Sequence, residues 1–122
     1  MLEHFQTFLQ IESIDASTWF AVIKLNPEHP LYQGHFPGQP IVPGVCFLHL
    51  VKEITENIQK QSLQYTQISS VKFLSVVHPV ETPQLEFVLH LKETVDCLLQ
   101  IQVEGKTGAN CFIKLKAQLK QK

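Results

Sequence analysis

Between Gly34 and Gly44 the chain places three glycines and three prolines in eleven residues, Gly34-His35-Phe36-Pro37-Gly38-Gln39-Pro40-Ile41-Val42-Pro43-Gly44. Glycine reaches backbone conformations closed to other residues, and proline fixes φ and removes a donor. So dense a mixture specifies a stiff, unusual path and excludes a regular strand or helix across it. The path delivers the chain into Val45-Cys46-Phe47-Leu48-His49-Leu50-Val51, a run too apolar for a surface helix. A rigid loop that holds one histidine, His35, beside the start of a buried helix is a candidate reaction site. The first N–H groups of such a helix lack internal partners and can face a polarised carbonyl.

The rest of the chain reads as strands. Residues 5–14 fit a first strand, with Phe5, Thr7, Leu9 and Ile11 on one parity and Phe8 on the other. After the turn signal Asp15-Ala16-Ser17, residues 18–25 are rich in β-branched and aromatic side chains and read as its hairpin partner. Asn26-Pro27-Glu28-His29-Pro30 ends that strand. Residues 45–61 form the one convincing helix, because Phe47, Val51, Ile54 and Ile58 recur at spacings of four, three and four. Its exit is Gln61-Ser62-Leu63-Gln64. Four strand-like segments follow. The first spans 67–77. In the second, Leu85, Phe87, Leu89 and Leu91 alternate against Glu86, His90 and Lys92. The third carries Val95, Cys97, Leu99, Ile101 and Val103. After Gly105-Lys106-Thr107-Gly108 comes the fourth, with Cys111, Ile113, Leu115, Ala117 and Leu119 inward and Phe112, Lys114, Lys116 and Gln118 outward. A period of two predicts half-buried antiparallel strands. Two strands, a stiff loop, one apolar helix and about four more strands predict an α+β arrangement, an antiparallel sheet curled round the helix.

The totals narrow the function. A chain of 122 residues with 44% hydrophobic content predicts a single domain, 1–122, that buries roughly two-thirds of its unfolded surface. A net charge of −1 predicts no attraction to nucleic acid or to an anionic membrane. Cys46, Cys97 and Cys111 are odd in number and lack metal spacing, which reads as reduced thiols in a cytoplasmic protein. No segment resembles a signal peptide or a membrane span.

The stretch His35-Phe36-Pro37-Gly38-Gln39-Pro40-Ile41-Val42-Pro43-Gly44-Val45 closely resembles the signature of the 3-hydroxyacyl-acyl carrier protein dehydratases of bacterial fatty-acid synthesis. Residues 71–79 look like that family's next strand and turn. The resemblance implies the hotdog fold, a sheet of about six strands wrapped round one central helix. It implies a dimer, and a reaction that removes water from a 3-hydroxyacyl thioester carried on the phosphopantetheine arm of acyl carrier protein, with no metal or redox cofactor. It makes His35 catalytic and assigns Phe36, Val42, Pro43, Gly44 and Val45 to substrate binding, with the Gly44 and Val45 amides facing the thioester oxygen. Glycine at position 44 would let the substrate approach the backbone closely.

One position departs. The family carries Glu or Asp fourteen residues after the loop histidine, across the dimer interface from the partner's histidine, and this chain has His49 there. Two facing imidazoles resist double protonation. The expectation is that His35 and His49 share at most one proton, one as base and one as acid. Two alternatives stay open: a binding subunit that has lost dehydration, and a heterodimer in which a related dehydratase chain supplies the carboxylate. A thioesterase would want a water-activating carboxylate on the helix, and Glu53 and Glu56 lie too far along it.

Other residues carry plainer readings. His29, His78 and His90 read as surface or turn residues. Cys46, in the first helical turn where a thiolate is favoured, reads as a small buried apolar side chain rather than a nucleophile. Trp19, Phe47, Leu48 and Leu50 line a core or an acyl tunnel. Lys52, Lys60, Lys72, Lys114 and Lys116 form solvated faces or meet an acidic carrier protein.

Overall fold

The computed structural model describes residues 4–34, 41–94 and 96–122. Alternation of apolar and polar residues produces six strands: β1 (Gln6–Ser13), β2 (Thr18–Leu25), β3 (Leu63–Phe73), β4 (Gln84–Glu93), β5 (Leu99–Thr107) and β6 (Asn110–Gln121). They form one antiparallel sheet in the order β1-β2-β4-β5-β6-β3. The helix α1 (Gly44–Gln59) follows β2 and a short 3-10 turn, Pro30–Gly34. It buries Cys46, Phe47, Leu50, Val51, Ile54 and Thr55. The inward residues of β4, β5 and β6 form one core with them, among them Leu85, Phe87, Ile101, Val103, Phe112 and Leu115.

The helix starts where the prolines place it. Pro43 is extended and takes the capping position without a side-chain bond, and its carbonyl accepts from Cys46 N–H at 3.0 Å. At the other end Lys60 adopts a left-handed conformation, and its N–H bonds the Glu56 carbonyl at 2.7 Å. The Glu56 carboxylate then accepts from the Leu63 amide at 2.8 Å, so β3 begins at once. The sequence pattern had set this strand at 67–77; it runs earlier because the helix exit and the carboxylate hold its start. Residues 74–77 leave the strand, and the Val77 carbonyl accepts from Val42 N–H at 3.0 Å instead.

Three other expectations change for local reasons. A bulge between Phe8 and Gln10 breaks the parity of β1, so Phe8 and Ile11 pack on the core while Leu9 faces out. The third late segment starts at Leu99 rather than Val95. Cys97 lies in a turn closed by Thr94, with a φ of 61°, and Val95 falls outside the described residues. Phe112, expected outward, is fully buried. The register slips beside Gly105, so that Lys106 faces Cys111 and Gly105 faces Ile113, leaving Phe112 as the extra residue. Its ring lies 4.7 Å from that of Phe47 and 5.8 Å from that of Phe87.

Candidate active site

The site is built on the start of α1 and the flank that carries His49. His35 and Phe36, the loop residues singled out by the sequence, lie outside the described residues. The end of the loop is described. Val42 buries its side chain in the core and ties its N–H to β3's continuation at Val77. Gly44 and Val45 open the helix, and among the described residues neither amide has an acceptor. The Phe73 ring lies over Gly44, where a Cβ would come within 2.9 Å of it. Glycine at this position thus admits an aromatic ring as well as any substrate. Phe73 is 51% exposed and Val45 70% exposed, so this end of the helix is apolar and open.

His49 is half-buried, on the flank of α1 whose Glu53 is reached by Gln6 of β1. Its Nε2 pairs with Glu53 Oε1, one turn along, and the two side chains keep 30% and 28% of their exposure. The second carboxylate oxygen, Oε2, accepts from Gln6 Nε2 on β1 at 2.9 Å. On the opposite flank Tyr65 of β3 donates its hydroxyl to the Leu48 carbonyl at 2.7 Å. The turn that carries His49 is therefore held from both edges of the sheet. Glu53, set aside in the sequence as too far along the helix, reaches back to the imidazole. The signal was the spacing of four between His49 and Glu53, which puts both on one helical face.

The remaining candidates separate from this face. Burial pushes the Cys46 thiol up, opposing any thiolate at the helix start. His29, read as a surface or turn residue, lies in the loop just before the 3-10 turn and is buried: its Nδ1 accepts from Leu31 N–H at 3.0 Å and its ring meets Phe5 edge-on at 5.2 Å. The 3-10 turn folds it against the core. His90 is exposed and meets Thr18 Oγ1 at 3.2 Å. It borders a concavity of about 480 Å³ on the outer sheet face with Lys92, Gln102 and Lys116, lined by no residue of α1. Tyr32 is buried, and among the described residues its hydroxyl has no hydrogen-bond partner. Among the described residues no group of three His, Cys, Asp or Glu side chains gathers as a metal site, and no helix is long and apolar enough to cross a membrane.

A six-stranded antiparallel sheet with one long apolar helix packed on it is the hotdog fold. The chain belongs to the ApeI-like dehydratase family, whose model, described as ApeI dehydratase, matches residues 11–111. It is 27% identical to the 3-hydroxyacyl-[acyl-carrier-protein] dehydratase FabZ of Ehrlichia canis, over 99% of this chain and 91% of the relative. Identity to the protein of the same name from Ehrlichia chaffeensis is 30%, over 93% and 87%. A solved structure described as the dehydratase heterocomplex ApeI:P from Xenorhabdus doucetiae superposes with a TM-score of 0.72, covering 94% of this chain and 97% of that one. At 20% identity that likeness carries the fold alone.

Proposed function

We propose that the chain eliminates water from 3-hydroxyacyl thioesters of acyl carrier protein, giving the 2-enoyl thioester in fatty-acid or polyene- and polyketide-type synthesis. One observation supports this reading above the others. The amides of Gly44 and Val45 open a helix that, one turn later, carries a half-buried imidazole paired with a carboxylate. In the proposed reaction His35 takes the α-proton. The Gly44 and Val45 N–H groups receive the charge that builds on the thioester oxygen. His49 gives a proton to the departing 3-hydroxyl. Phe36, Val42 and Pro43 border the acyl chain. Elimination of water changes no oxidation state overall, so the proposed chemistry asks for no metal or redox cofactor, and the protein works in the cytoplasm.

In this reading two chains pair, and His35 of one faces His49 of the other. The exposed apolar side chains around the helix start, Val45, Phe73, Leu74 and Val76, suit such a partner. A second reading is favoured by the imidazole at position 49 and by a structural relative described as a heterocomplex. There the partner is a related dehydratase chain that supplies a carboxylate opposite His35.

A product assay tests the proposal. Purified protein is given a 3-hydroxyacyl carrier substrate and the products are weighed by mass spectrometry. Loss of water is expected, and His35→Ala should abolish it, a fall of about a hundredfold or more. Release of free acid would make the chain a thioesterase, and bound but unchanged substrate would make it a carrier-binding subunit. A gain in rate for His49→Glu would favour the heterodimer.

A further inference from the structure

Two elements converge on one carboxylate. Glu53 Oε1 meets the His49 ring from the same helix, and Oε2 is held at 2.9 Å by Gln6 of β1. A helix-surface ion pair is usually loose, but the bond from a second element fixes this carboxylate against the sheet edge. Glu56, the next carboxylate along the helix, is occupied differently, with Oε2 accepting from the Leu63 amide. Glu53 is thus the helix carboxylate given to an imidazole.

We propose that Glu53 is the positioning residue for His49, and that the two side chains together perform the proton donation at the place where the family carries a single Glu or Asp. The inference rests on the dehydratase reading above. A neutral imidazole has one donor and one acceptor nitrogen, and a carboxylate at Nε2 holds the proton on that nitrogen. When the ring gains a second proton it sits on Nδ1, and Glu53 stands beside the cation, as a carboxylate does for the histidine of a serine-hydrolase triad. Nδ1–H then protonates the 3-hydroxyl as the C3–O bond breaks. The electrons of the α-C–H bond become the new double bond, the α-proton passes to His35, and water leaves. Return of that proton from His35 to His49 resets the pair. Glu53 touches no substrate atom, so its loss should lower kcat and leave KM near its original value.

The test uses the intact protein with its histidine rings labelled with nitrogen-15, alongside the dehydration assay. Wild-type protein should show neutral His49 as one tautomer with its proton on Nε2. Glu53→Ala should mix the two tautomers and lower kcat about tenfold or more, with KM within about twofold. Glu53→Gln keeps an acceptor without the charge, so it should keep the tautomer and fall between the two in rate. An unchanged ring signal in Glu53→Ala overturns the pairing. A changed ring with unchanged kcat overturns the catalytic part. If the wild-type protein makes no enoyl product, the dehydratase reading fails and takes the proton donation with it, while the ring signal still reports separately on the His49–Glu53 contact.

Discussion

Phe112 reaches the centre of the core because the residue beside it on β5 has no side chain. A Cβ on Gly105 would stand 2.6 Å from the Phe112 ring and 2.8 Å from Ile113 Cγ2. Both neighbours are fully buried and cannot swing away. Gly105→Ala should therefore destabilise the fold by about 1–3 kcal/mol, read as a lower urea midpoint with little change in slope. Gly44→Ala meets an exposed ring instead, so Phe73 can move aside and the cost should be smaller. At this scale the sequence was informative about the family, through the consecutive run from His35 to Val45. It was silent where a single extra residue changes the register. Phe112 reads as outward in a strict alternation, and nothing local announces the bulge that turns it in. The pairing of Glu53 with His49 was legible as a spacing, but its hold by Gln6 was not, because 47 residues separate β1's amide from the carboxylate.

Helix and edge strands together decide what the site faces. α1 was readable from its apolar face and its proline-rich entry, and the structure moves its limits by one or two residues only, to Gly44–Gln59. The strands were readable as a set, yet not in their ends, since β3 and β5 are bounded by a carboxylate and a threonine-closed turn rather than by apolar pattern. The segment after β3 is the element on which the proposed pairing of two chains turns. It presents Leu74 and Val76 to solvent while Val77 anchors it beneath. If this surface meets a second copy, Val76→Lys should shift the protein to the mass of one chain in sedimentation and lower the dehydration rate with it. A dimer that survives the change would move the interface elsewhere.

Across the whole fold, three ionisable groups among the described residues sit in surroundings that oppose their charged forms. Burial pushes the Tyr32 phenol up, with a smaller contribution from Cys46, and burial alone raises Tyr65 and Cys46. The folded chain holds these protons when the unfolded chain has begun to release them. Stability should then be level through neutral pH and fall as the pH passes the ordinary thiol and phenol values, about 8.5 and 10. Thermal melting between pH 7 and about 11 checks this. Tyr32→Phe removes a hydroxyl that has no partner among the described residues, so it should cost little at neutral pH and soften the alkaline fall. The strand order carries a consequence for biosynthesis. β3 has a single neighbour in the sheet, β6, which the ribosome delivers last of the six. Until then the nascent chain carries an apolar helix clad on one flank only and a strand with both edges bare. A message cut short before Asn110 would leave it so for good, with a neighbouring nascent chain as the nearest substitute for the missing strand.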